Sequence, residues 1–196
     1  MYPRNRLEAL TDGIFAVAMT LLVLDLRIPD DAGRPTDEAS LVRALLALAP
    51  KFLPYLLTFY VLGISWLSLI KVKSRSEMVG SAYAKWCLLY LLLVTLLPFS
   101  TLVMGRFTAY AAATAIYAAN IGLSAGVGYR LMSLLPAPVK DEHWLDRRVS
   151  LVVLLVSCLL TIALSFLIPA QALWALALNL GAGTAARWYR RLETRS

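Results

Sequence analysis

Two carboxylates bracket an uncharged stretch near the N-terminus. Asp12 stands before Gly13–Leu24, GIFAVAMTLLVL, and Asp25 follows it. As a helix the stretch covers about 18 Å, against a hydrocarbon core about 30 Å thick. If it spans a membrane, Asp12, Asp25 or both lie at hydrocarbon depth, where lipid penalises a charge heavily, so each must face protein or water. A helix that is polar at both ends and cannot be surrounded by lipid belongs inside an assembly. The chemistry these residues fit is passage of a solute along the helix, with the rest of the chain as the wall.

At 100° per residue, Gly13, Val17, Leu21 and Leu24 fall on one narrow stripe, with Thr20 on its flank. Arg6, Leu10 and Ile28 extend the stripe, and Asp12 points to nearly the opposite side. The stripe is the candidate pore face, and Asp12 is the candidate for structural pairing between helices. One stripe cannot enclose a pore, so several copies must meet around an axis, as closed cyclic symmetry allows. Rings of Val17, Leu21 and Leu24 would form hydrophobic constrictions that gate by dewetting. Thr20 offers a hydroxyl to a partly dehydrated cation, unless it bonds its own backbone. Periodicity alone favours a plainer reading, the most buried helix of a bundle, and it is the resemblance given below that shifts the balance. Asp25 reads as an outer-mouth charge that concentrates cations or as a solvated helix end.

The 196 residues are 60% hydrophobic and 16% charged, against about 45–50% and about 25% in a soluble domain. With long uncharged runs from end to end, this is an all-α integral membrane protein forming a single domain, 1–196. The formal charge of +7 sits in short caps between apolar runs, which fits anionic lipid headgroups rather than nucleic acid. Cys87 and Cys158 lie in apolar runs and read as small buried hydrophobes. The one histidine, His143, sits in a polar connection, and no metal-ligand cluster is formed. No Ser-His-Asp set, phosphate loop or catalytic carboxylate pair stands out, so neither an enzyme nor a cofactor is expected. Ala16-Val-Ala18 has the form of a signal-cleavage site but lies inside the apolar run, so a retained helix is expected.

Six spans follow from the apolar runs. After the first comes a polar loop, Arg27–Ser40, and an interfacial helix near Leu41–Ala49. The second span runs Phe52–Ile70, the third Tyr83–Val103, and the fourth Thr108–Met132, rich in small residues that permit close helix packing in lipid. A polar connection, Pro136–Arg148, precedes the fifth, Val149–Ile168. Ala170–Trp188 is the sixth. Fourteen of the nineteen basic residues fall on the side that holds both termini, which places the termini in the cytoplasm and requires an even number of spans.

Arg6-Leu-Glu-Ala-Leu10-Thr11-Asp12, running into the apolar helix, resembles the signature of the endolysosomal potassium-channel family in its short prokaryotic branch. Leu-Leu-Pro98-Phe99-Ser100 and Tyr117-Ala-Ala-Asn120 resemble it too. Leu10 stands where the signature has Phe, and Thr11 where it has Ser. The resemblance implies a potassium-permeable channel in a prokaryotic cell membrane, a homotetramer of six-helix subunits whose first helices line the pore. It implies the main constriction at Val17, smaller than the family's usual Ile or Leu, potassium preference at Thr20, and an aliphatic ring at Leu24. It also implies a structural network of Arg6, Thr11 and Asp12 with Trp66. The other classes consistent with the residues are a proton-coupled secondary transporter and a non-conducting membrane scaffold. The partners expected are potassium ions, membrane lipids and further copies of the chain.

Overall fold

The computed structural model describes residues 1–28, 35–70, 78–107, 109–134, 142–168 and 172, with backbone only for 142–149. Apart from Ala172, the expected sixth span, 170–188, and the side chain of His143 lie outside the described residues. What is described is almost wholly helical. Helix α1 is Arg4–Leu21, tightened by a 3₁₀ turn at Leu22–Asp25. Then come α2, Glu38–Leu46; α3, Ala49–Ile70; α4, Ser81–Arg106; α5, Ala111–Leu134; and α6, Glu142–Ser165. Four of these segments, residues 4–25, 49–70, 81–106 and 111–134, are long and apolar enough to cross a membrane. The chain is a multi-pass, all-helical membrane protein.

Several boundaries differ from those the apolar runs predict. The first helix starts at Arg4, because Arg4 and Glu8 close an i,i+4 ion pair of 2.7 Å over its first turn. The sixth element starts at Glu142 rather than Val149, so half of the expected polar connection is helix. Hydropathy marks where a helix becomes apolar, and these helices begin outside that zone. A two-residue ribbon also escapes sequence reading: β1, Tyr2–Pro3, pairs antiparallel with β2, Met78–Val79. It ties the start of α1 to the start of α4.

Helix α2 is set by its N-cap. The Asp37 side chain accepts from the Ser40 N–H at 2.8 Å, and the Asp37 N–H donates to the Ser40 hydroxyl at 3.1 Å, closing a capping box. These bonds, the Ser40 side chain first, hold the Asp37 carboxyl below its ordinary value.

Helix α5 packs most extensively, between α4 and α6, while α1 lies against α4 and α3. Small residues make the close approach possible: a Cβ added to Gly122 would stand 3.2 Å from Cys158 Cβ of α6. Both cysteines are buried free thiols. Pro98 lies inside α4 and has no N–H for the Val94 carbonyl, and just beyond it Ser100 donates to the Leu97 carbonyl, with Thr101 Oγ1 2.8 Å from the same oxygen.

Candidate functional site

Helix α1 has two faces. Thr11, Phe15, Ala18 and Leu22 recur at helical spacing and are buried, Phe15 with its ring 6.1 Å from that of Tyr90 in α4. The opposite side carries Gly13, Val17, Thr20, Leu21 and Leu24, all exposed in the single chain. Val17 is 57% accessible and Leu24 65%, far more than a bundle's most buried helix would allow. A Cβ added to Gly13 would meet nothing within 4 Å. No packing within the subunit therefore asks for a glycine there. Thr20 donates its hydroxyl proton back to the carbonyls of Val17, 2.8 Å, and Ala16, 3.0 Å. Its oxygen keeps its lone pairs for the exposed side.

Each end of α1 carries its carboxylate to a neighbouring helix. At the N-terminal end, the Trp66 indole N–H of α3 donates to Asp12 Oδ1 at 2.8 Å. Thr11 is buried beside them, donates to the Leu7 carbonyl and stands 3.9 Å from Cys87 Sγ. Of the four residues expected to form one network, the structure brings Asp12 and Trp66 together. Arg6 is exposed and has no ion pair among the described residues. At the other end, Asp25 is neither a solvated end nor an open mouth charge. Its side chain is 13% accessible, with Oδ1 3.6 Å from Arg106 Nε of α4. The reason is tertiary: the 3₁₀ turn swings Asp25 against the end of α4, where Oδ2 lies 3.3 Å from the position of a Cβ on Gly105.

Sequence reasoning missed the polar core behind α1. The Thr58 hydroxyl of α3 lies 2.8 Å from Thr101 Oγ1 of α4, 2.9 Å from Tyr117 OH of α5, and 2.8 Å from the Pro54 carbonyl. Thr101 also reaches the Leu97 carbonyl. Three hydroxyl protons thus serve four contacts, so one of the two threonines gives up its backbone acceptor to bond the other. Next to this cluster Asn120 Nδ2 donates to Ser100 Oγ at 3.2 Å. Thr and Ser in apolar runs give no sign of whether they bond across helices or to their own turn. Tyr117 and Asn120, one turn apart, were the available signal.

Among the described residues, four apolar spans, an exposed uncharged stripe on the first and a hydroxyl core behind it are the features of a polytopic membrane protein. Residues 6–98 match the family described as endosomal/lysosomal potassium channel TMEM175. That segment is just under half of the chain, and over it the chain is similar to the family. A protein named as a potassium channel from Chamaesiphon minutus is 34% identical over 103 residues, 53% of this chain and 50% of that one. The human protein named endosomal/lysosomal proton channel TMEM175 is 40% identical over 68 residues, 32% of this chain and 13% of that one. The aligned part of the chain spans about half the length of the bacterial relative. The crystal structure of a lysosomal potassium-selective channel TMEM175 homologue from Chamaesiphon minutus superposes with a TM-score of 0.59 at 25% identity, covering 98% of both chains.

Proposed function

We propose that the chain is one subunit of a potassium-preferring cation channel that conducts passively. The observation that carries this reading is the exposed, uncharged stripe Gly13, Val17, Leu21 and Leu24 on α1, opposite the face that packs into the subunit. Four copies turned about an axis cover these stripes against one another and enclose a pore. Gly13 then has a use, letting backbones approach where the rings close. Val17 forms the main constriction, Leu21 and Leu24 form further aliphatic rings, and the Thr20 lone pairs replace part of a cation's hydration shell. Arg6, Thr11, Asp12 and Trp66 act as positioning residues that set the angle of α1.

In this reading the chain is one domain of six spans with both termini in the cytoplasm, residues 170–188 supplying the sixth. It sits in a prokaryotic cell membrane among anionic lipids. Bacterial relatives named as potassium channels support the ion. The human relative is named as a proton channel, so proton passage is the second reading. Purified protein in liposomes separates them. With imposed gradients of potassium, sodium and protons in turn, potassium flux exceeds sodium flux and persists when the proton gradient is collapsed. Flux that requires a proton gradient points to coupled transport, and no flux from folded oligomer points to a scaffold.

A further inference from the structure

At the end of the bundle that carries the N-terminus, α1, α3, α4 and α5 part around a cavity of about 370 Å³. That lies within the range of small-molecule sites, roughly 300–1,000 Å³. The cavity is walled on the α1 side by Arg4, Glu8 and Asp12 and reaches Cys87 of α4. It is distinct from the exposed stripe, since none of Gly13, Val17, Leu21 and Leu24 lines it.

Its charges do not cancel. Arg4 Nε and Glu8 Oε1 pair at 2.7 Å, and among the described residues Asp12 is the charge on the wall with no ion pair. Asp12 has one oxygen committed to Trp66 and a second to offer. Apart from the Thr11 hydroxyl and the sulfurs of Cys87 and Met132, the rest of the lining is aromatic and aliphatic, with Tyr83 and Tyr90 on one side and Leu131 on another. Aromatic faces carry partial negative charge and attract cations. An anion would meet two carboxylates around a guanidinium already paired. A neutral apolar guest would take water from the second Asp12 oxygen and offer no partner in return, which is costly. What complements one carboxylate, two aromatic rings and an aliphatic wall is a monocation with a compact apolar body.

We propose that this cavity binds a small hydrophobic organic amine in its protonated form, with the ammonium at Asp12 and the apolar body between Tyr90 and Leu131. Because α1 forms one wall, the guest also fixes α1 relative to α3 and α4, and so biases the pore. That consequence rests on the channel reading, whereas the binding does not.

Cys87 supplies the reporter. In full-length protein carrying Cys158→Ala, held in lipid nanodiscs, the rate of Cys87 alkylation by iodoacetamide is measured with cyclohexyldimethylamine, cyclohexanol or cyclohexanecarboxylate present. The amine slows alkylation saturably, with an affinity about tenfold above that of cyclohexanol, and the carboxylate does not protect. Asp12→Asn keeps an oxygen for Trp66 but removes the charge, and brings the amine down to the level of the alcohol. Leu131→Trp fills the cavity and slows alkylation with no guest present. Equal protection by amine and alcohol, protection by the carboxylate, or a Cys87 that iodoacetamide does not reach would overturn the site. Potassium flux that ignores the amine while protection persists overturns the coupling to the pore and not the binding. Native protein with no flux at all, and protection intact, sinks the channel reading alone.

Discussion

Trp66 and Asp12 show how one hydrogen bond can set a helix. The indole N–H reaches a carboxylate at 2.8 Å on the accessible side of α1, so its net worth is at the low end for a bond to a charged group, about 1.5 kcal/mol. Trp66→Phe is expected to lower the thermal unfolding midpoint by more than Asp12→Asn, because an asparagine oxygen still accepts the indole proton. Equal losses would mean that the charge, not the bond, holds the contact. Asp37 gives a second test at this scale. Its carboxyl is held below the ordinary value by the Ser40 bonds, so the cap contributes fully above the unfolded-state value. The contribution is lost as pH falls through the lower, folded one. Amide exchange at Ser40, corrected for its intrinsic rate, is expected to quicken only in that acidic window, and Asp37→Asn to remove the pH dependence. Asp12 and Trp66 were legible as a pair only through family resemblance, because 53 residues separate them in the chain. The burial of Asp25 was not legible at all, since it depends on Arg106 from another helix.

The middle helices follow their apolar runs. Spans expected at Phe52–Ile70, Tyr83–Val103 and Thr108–Met132 are found as α3, α4 and α5, with the end at Ile70 unchanged and the others moved by two or three residues. A long uncharged run has few alternatives in lipid, where every backbone group must be satisfied within the segment. Periodicity could not supply the bonds between these helices. Apolar residues drive no association against lipid tails, so packing and hydroxyl bonds carry it, and both depend on which faces meet. Thr58 is the node of that arrangement, with Tyr117 wholly buried beside it. Thr58→Val keeps the shape and leaves the Tyr117 hydroxyl without its acceptor, at an expected cost of about 1–3 kcal/mol. Thr58→Ser should recover most of the loss in unfolding midpoint. If Val and Ser behave alike, the cluster is packing and the hydroxyl count is irrelevant.

The channel reading rests on what the single chain leaves uncovered. Phe15 is 1% accessible and Val17 57%, two residues apart on one helix, so α1 is half packed and half uncovered. The first helix carries an uncharged stretch between two carboxylates and anchors each to a neighbouring helix, Asp12 to α3 and Asp25 to α4. An anchored helix can hold a ring of side chains at a fixed radius, and ring radius is what a hydrophobic constriction reads. Conductance should therefore follow the volume of residue 17 while the fold does not, because this side chain makes little contact within its own subunit. The decisive measurement is potassium flux into liposomes for the native chain, Val17→Ala and Val17→Trp, each checked for the same oligomer size and unfolding midpoint. The account predicts flux that rises with Ala and is blocked by Trp at unchanged stability. Flux indifferent to both substitutions would contradict it, and would move the pore away from α1.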